Sequence, residues 1–190
     1  MSSLHRRWLL TGGIGSGKSE VRRQLEERGI RTLDADSIGH LVLEEEAREA
    51  VSRRWPEVMV EDAVDRSALA SLVFADPAEL SALEAITHPL IFGRLRSELE
   101  GFHGVAVVEI PLIDSGLGWP AMVVDAPEGT RVDRAVARGM QRDDVVRRMA
   151  SQPTRAEWLA SADLVIPNHG SLTELSATVA KLGAFRAGEQ

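Results

Sequence analysis

Residues 10–20 read LTGGIGSGKSE, with glycines at 12, 13, 15 and 17 and a lysine at 18. The apolar run in front of them, RRWLLTG, is short and ends at glycine, as a buried strand does. KSEVRRQLEERG follows, with Val21 and Leu25 four residues apart and Gly29 at a C-cap position, which predicts a helix over about 18–28. IRTLDAD then reads as a second short strand ending in acids. Strand, glycine turn, helix and strand make a βαβ unit, and that unit requires a parallel sheet with a right-handed crossover. A turn this rich in glycine loses much backbone freedom on ordering, so it calls for a ligand that offsets the loss.

Gly12-Gly13-Ile14-Gly15-Ser16-Gly17-Lys18-Ser19 satisfies G-x-x-x-x-G-K-[ST] in full. Glycines at these positions let backbone N–H groups turn around phosphate oxygens, and the following helix presents its positive dipole end to the same anion. Lys18 is placed for the β- and γ-phosphates and the Ser19 hydroxyl for Mg²⁺. Of the 22 basic residues only Lys18 and Lys181 are lysines. The P-loop predicts a nucleoside triphosphate with Mg²⁺, without yet saying which one or what is done with it.

The rest of the chain narrows this. Its 190 residues suit one α/β domain with a small insertion. A hydrophobic share of 44% and a charged share of 27% are those of a globular protein. A net charge of −7 argues against nucleic acid as a partner. Without cysteine there is no disulfide and no thiol nucleophile. The N-terminal MSSLHRRWLLTGG has too short an apolar run for a signal peptide, and no run reaches the roughly 18 residues of a membrane helix. A cytoplasmic protein with no membrane partner is expected.

From about 37 to 100 the sequence is helical by composition, with little strand signal. DRSALASL begins as a capped helix and Pro77 stands as a first-turn proline. THPLIFGRLRSELEGF reads as a further helix, with His88-Pro89 at its start or at a kink. Beyond it, GVAVVEIP and AMVVDAP are buried strands and DLVIPNHG is the last strand and turn. Between these lie a helical stretch over about 128–152 carrying arginines 131, 134, 138, 142, 147 and 148, and the short helix of TRAEWLASA. SLTELSATVAKLG closes the chain, with Ser171 or Thr173 at its cap. Five strands alternating with helices predict a doubly wound parallel sheet.

Three features favour phosphoryl transfer to a small molecule. Asp34 and Asp36 end the second strand, where a carboxylate can take a hydroxyl proton or hold Mg²⁺ water, although a helix cap would use the same residues. The arginine-dense segment suits a lid that neutralises a transferring phosphoryl group, although solvated helix faces also carry arginine. The helical insertion offers an acceptor site. Glu109, ending the third strand, suits the acidic partner of Mg²⁺ or a structural carboxylate. N-K-x-D, the GTPase base-reading motif, is absent.

Taken in order, LTGGIGSGKS at 10–19, DAD at 34–36, VDRSALASLVFAD at 64–76, LEAITHP at 83–89, IPL at 110–112, the spacing of Arg134, Arg138, Arg148 and Gln152, and ADLVIPNHG at 162–170 resemble the dephospho-coenzyme A kinase family over nearly the whole chain. The resemblance implies a three-layer α/β/α P-loop kinase with a five-stranded parallel sheet. The core would comprise residues 1–36 and 104–190 with a lid at about 128–152, and residues 37–103 a helical coenzyme-binding subdomain. It implies ATP-dependent phosphorylation of the ribose 3′-hydroxyl of dephospho-coenzyme A, the last step of coenzyme A synthesis, by a monomer or small homo-oligomer. Asp36 would be the general base, with Lys18 and Arg138 on the transferring phosphate. Gly13, Ile14, Gly15, Ser16, Gly17, Lys18, Ser19, Arg148 and Asn168 would hold ATP, Asn168 at the adenine. Asp34, Arg66, His88 and Pro89 would face the acceptor, and Ser19 and Glu109 the metal. The chain departs from the family pattern at Glu20, at Glu109, at Ile113-Asp114-Ser115 and at Gly139. Another small-molecule or nucleoside kinase, or a nucleotide-binding regulator without phosphotransfer, remains the alternative reading.

Overall fold

The structure is a computed structural model that describes residues 6–183; residues 1–5, within the N-terminal run judged too short for a signal peptide, lie outside the described part. The chain divides into two compact units, one of residues 1–33 with 102–190 and one of residues 34–101.

The first unit is built on a five-stranded sheet of β1 (Arg7–Thr11), β2 (Arg31–Asp34), β5 (Ala106–Glu109), β6 (Ala121–Asp125) and β7 (Leu164–Pro167). Their order is β2-β5-β1-β6-β7. The pairs β1·β5, β1·β6 and β6·β7 are parallel, with Leu10 level with Glu109 and Met122. The expected sheet is therefore present, with the P-loop strand at its centre. Side chains alternate across it. Leu10, Val107, Met122, Val124 and Ile166 face one layer, where they pack on Val21 and Leu25 of α1 (Lys18–Glu27) and on Leu175 and Val179 of α9 (Leu172–Gly183). The same alternation turns Asp125 to the opposite face from Val124. Gly29, at φ +73°, ends α1 as expected, and Ser171 and Glu174 bond reciprocally at the start of α9.

The stretch over 128–152 is two helices, α6 (Glu128–Ala137) and α7 (Arg142–Ala150). Gly139, at φ +95°, lies in the break. Val132, Ala135 and Val145 form a small core between the two helices, with Val136, Met140 and Met149 against it. α8 (Arg155–Ala160) starts with a capping box of Thr154 and Glu157.

The second unit is mostly helical: α2 (Ala35–Glu44), α3 (Arg48–Arg54), α4 (Arg66–Ala75) and α5 (Pro77–Glu98). Asp34, Asp65 and Asp76 cap α2, α4 and α5, and Pro77 opens α5. Two expectations are corrected. Residues 59–64 form a two-residue hairpin, β3 (Met59–Val60) with β4 (Ala63–Val64), too short to give an alternating pattern. Of the two places expected for His88-Pro89, a helix start or a kink, the start is excluded, because α5 is one helix of 22 residues with Pro89 inside it. Tertiary packing of α5 on α2 and α4 overrides the helix-breaking tendency of that proline.

Candidate active site

The turn after β1 is shaped by what packs on it. Gly12, Gly15 and Gly17 have φ of +135°, +74° and +101°, which side chains rarely adopt. Gly13 has no such backbone demand; a Cβ there would lie 1.9 Å from the Arg131 guanidinium. A Cβ on Gly15 would lie 2.2 Å from the Arg131 carbonyl oxygen, and one on Gly17 2.3 Å from Asn168 Nδ2. The glycines thus allow α6 and the turn after β7 to close on the loop.

Hydrogen bonds fix that closure. Arg131 Nε donates to the Ile14 carbonyl at 2.9 Å, and the Ile14 N–H donates to Gln152 Oε1 at 2.8 Å. Asn168 Nδ2 donates to the Ser16 carbonyl at 2.8 Å, and Arg134 donates to Asn168 O and Oδ1 at 3.1 and 3.3 Å. The Asn168 N–H donates to the Asp125 carbonyl at 2.7 Å. Lys18 Nζ donates across the loop to the Gly12 carbonyl at 2.8 Å. The Ser16 hydroxyl is buried and has no hydrogen-bond partner among the described residues. At the start of α1, Ser19 Oγ donates to Glu109 Oε1 at 3.2 Å, and Arg22 Nε holds the other Glu109 oxygen at 2.8 Å. A hydroxyl and a carboxylate oxygen side by side are the hard oxygen donors that Mg²⁺ takes.

Two electrostatic features surround the loop. Arg131 is buried, 5% exposed, and loss of water lowers its pKa from the ordinary arginine value. Asp125, on the other face of β6 from Val124, accepts two bonds from Arg155, both of 2.7 Å, and lies 3.2 Å from His169 Nε2. The Arg155 guanidinium, outweighing burial and helped by His169, holds the Asp125 carboxyl below the usual aspartate range. A cleft of about 330 Å³ opens beside Gly17, lined by Glu20, Arg134, Arg138, Asn168 and Leu172. Glu20, the first departure from the family pattern, is bonded by Arg23 and by Gln24 Nε2 at 2.7 Å, and its pKa is lowered chiefly by Arg23.

The residues expected to act divide accordingly. Gly13 to Ser19, Glu109, Asn168 and Arg138 gather around the loop and its cleft. Arg148 is exposed on α7 and, among the described residues, makes no side-chain bond to the loop. In the second unit, Asp34 caps α2 by accepting from the N–H groups of Asp36 and Ser37, and Asp36 is exposed in the first turn. Arg66 is exposed at the start of α4. His88, half-buried in α5, lies with its ring 5.4 Å from that of Phe92. Arg131 and the Asp125–Arg155–His169 cluster escaped assignment from the sequence. Arg131 was one of six arginines in a helix, and Asp125 one acid at the end of an apolar strand; only the fold separates them from their neighbours.

Comparison with known proteins identifies the family. The dephospho-CoA kinase family model matches residues 9–174. A dephospho-CoA kinase of Deinococcus radiodurans is 41% identical over 181 residues, covering 90% of this chain and 87% of that one. One from Streptomyces avermitilis is 42% identical over 196 residues, covering 92% and 91%. A crystal structure of a Thermus thermophilus protein superposes with a TM-score of 0.82 at 37% identity, covering 94% of this chain and 96% of that one. The chain belongs to the dephospho-CoA kinase family.

Proposed function

We propose that this protein transfers the γ-phosphoryl group of ATP to the ribose 3′-hydroxyl of dephospho-coenzyme A. The observation that carries the reading is the P-loop with Lys18 across it and Ser19 beside Glu109, in a chain matching the family from residue 9 to residue 174. The 3′-oxygen attacks the γ-phosphorus in line, the bond to the β–γ bridging oxygen breaks, and the hydroxyl proton passes to Asp36. ADP and coenzyme A leave. Ser19 and Glu109 would hold Mg²⁺, which would supply positive charge to the phosphates of the nucleotide. Lys18 turns from the Gly12 carbonyl to those oxygens, and Arg138 closes on the transferring group from the 128–152 lid, with Arg148 on the same nucleotide. The cleft between Gly17 and Leu172 suits the base. Asp34, Arg66, His88 and Pro89 belong to the acceptor side, and residues 37–103 to the coenzyme subdomain. The cytoplasm is the compartment proposed for it.

Coupled ADP release with dephospho-coenzyme A tests this, with the product identified by its 3′-phosphate. Stimulation by that acceptor, and poor stimulation by adenosine analogues lacking the pantetheine arm, is the expected result. ADP release that is indifferent to the acceptor would assign the site to a nucleotide-binding regulator.

A further inference from the structure

A trans peptide unit points its C=O and its N–H in opposite directions. Fixing a loop carbonyl therefore also fixes the direction of the next residue's N–H. Two P-loop carbonyls are fixed in this way from outside the loop. The Ile14 carbonyl is taken by Arg131 and the Ser16 carbonyl by Asn168, with Arg134 behind it. The following N–H groups, of Gly15 and Gly17, find no protein acceptor among the described residues. Buried backbone donors without a protein partner are met by water or by a ligand oxygen, and in a glycine loop that opens a helix that ligand is a phosphate. Both holding side chains are 5% exposed, and the polar atoms of the Asn168 amide are spent on Ser16 and Arg134.

We infer that Arg131 and Asn168 are positioning residues of the phosphate site, each pulling one P-loop carbonyl outward so that the Gly15 and Gly17 N–H groups face the nucleotide phosphates. Neither touches the reacting atoms. Asn168 then acts on the phosphates through the loop rather than on adenine through its own side chain. Gly13 receives a specific reason: its missing Cβ is the space occupied by the Arg131 guanidinium. The inference rests on the nucleotide-binding reading above.

The test uses the full chain and three probes: ADP, adenosine and inorganic pyrophosphate. Asn168→Leu and Arg131→Met each remove a carbonyl donor while keeping much of the side-chain volume. Each is expected to weaken ADP and pyrophosphate about 10-fold, the usual size for one hydrogen bond in a charged site, and to leave adenosine within about 2-fold. Arg131→Lys keeps a donor and the charge and should restore most of the loss. Weakening of adenosine and ADP alike with pyrophosphate unchanged would make Asn168 a base contact and overturn the assignment. So would unchanged ADP binding, or equal loss of all three probes. Gly13→Ala gives an independent measure. Its methyl should displace Arg131 and weaken ADP, and add little once Arg131→Ala has cleared the space; additive losses would overturn the coupling. Failure of the wild-type chain to bind ADP would instead strike the kinase reading itself.

Discussion

The two units of this chain use unusual residues in opposite ways. Around the P-loop, each special position answers a close neighbour: Gly13 makes way for Arg131, Gly15 for the α6 backbone and Gly17 for Asn168. In the helical unit the conspicuous residue is Pro89, set inside a 22-residue helix where it removes a backbone bond, with no turn to justify it. Strain in the first unit is matched by packing. In the second, no single neighbour answers Pro89, which is offset only by the packing of the whole helix on α2 and α4, and Arg66 and His88 make no side-chain hydrogen bond among the described residues.

The sharpest way to break this division is Asp36→Asn. If the first unit binds ATP and Asp36 supplies the base, turnover should fall about 10²–10⁴-fold, the range of general base catalysis, with the ATP dissociation constant unchanged. Steady-state kinetics beside calorimetry separate the two quantities. Retained turnover would move the base elsewhere.

Gly15→Ala probes the packed side. The new methyl faces both a φ of +74° and the Arg131 carbonyl at 2.2 Å, so the backbone term alone should cost about 1–3 kcal/mol. Urea unfolding should show that loss together with weakened ATP binding. Unchanged stability would mean that the loop is held less tightly than its contacts indicate.

Acid should loosen the first unit before the second. Asp125 faces Arg155, His169 and, at longer range, Arg131, and Arg155 depresses its pKa. Its charged form therefore contributes stability that is complete above the unfolded aspartate value, about 3.9, and is lost as pH falls through the lower folded value. The carboxylates of the helical unit are different: Glu45 and Glu46 on Arg94, and Glu49 on Arg53, are surface pairs. Hydrogen exchange from pH 5 downward should rise first in peptides covering β6 and the turn after β7. In Asp125→Asn that pH dependence should flatten. Simultaneous rise in both units would remove Asp125 as the trigger.

The division also explains what the sequence could disclose. The P-loop, the five strands and most caps depend on neighbours within about four residues, so they were legible: Asp65 and Pro77 are read almost directly from their spacing. Glu109 could be read as a metal partner because it ends the third strand, but only the pairing of β5 with β1, which levels it with Leu10, brings it to Ser19. Arg131 could not be told from Arg134 or Arg142, because what distinguishes it is burial against a loop 117 residues away. The hairpin at 59–64 has two residues per strand, below the length at which alternation can be seen. The course of α5 through Pro89 was set by partners far along the chain.

That proline provides the mildest test and the one that bears most on the contrast. A proline inside a helix is roughly 3 kcal/mol worse than alanine in a free helix, and less where the surrounding packing already accommodates it. Pro89→Ala also gives the Ala85 carbonyl its missing donor. The helical unit should therefore gain about 1 kcal/mol, the reverse of every substitution at the P-loop. If Pro89 shapes the surface beside His88 for the acceptor, this gain will come with a higher KM for dephospho-coenzyme A and an unchanged KM for ATP. A gain in stability with both constants unchanged would make Pro89 a tolerated defect and leave His88 and Arg66 to account for the acceptor alone.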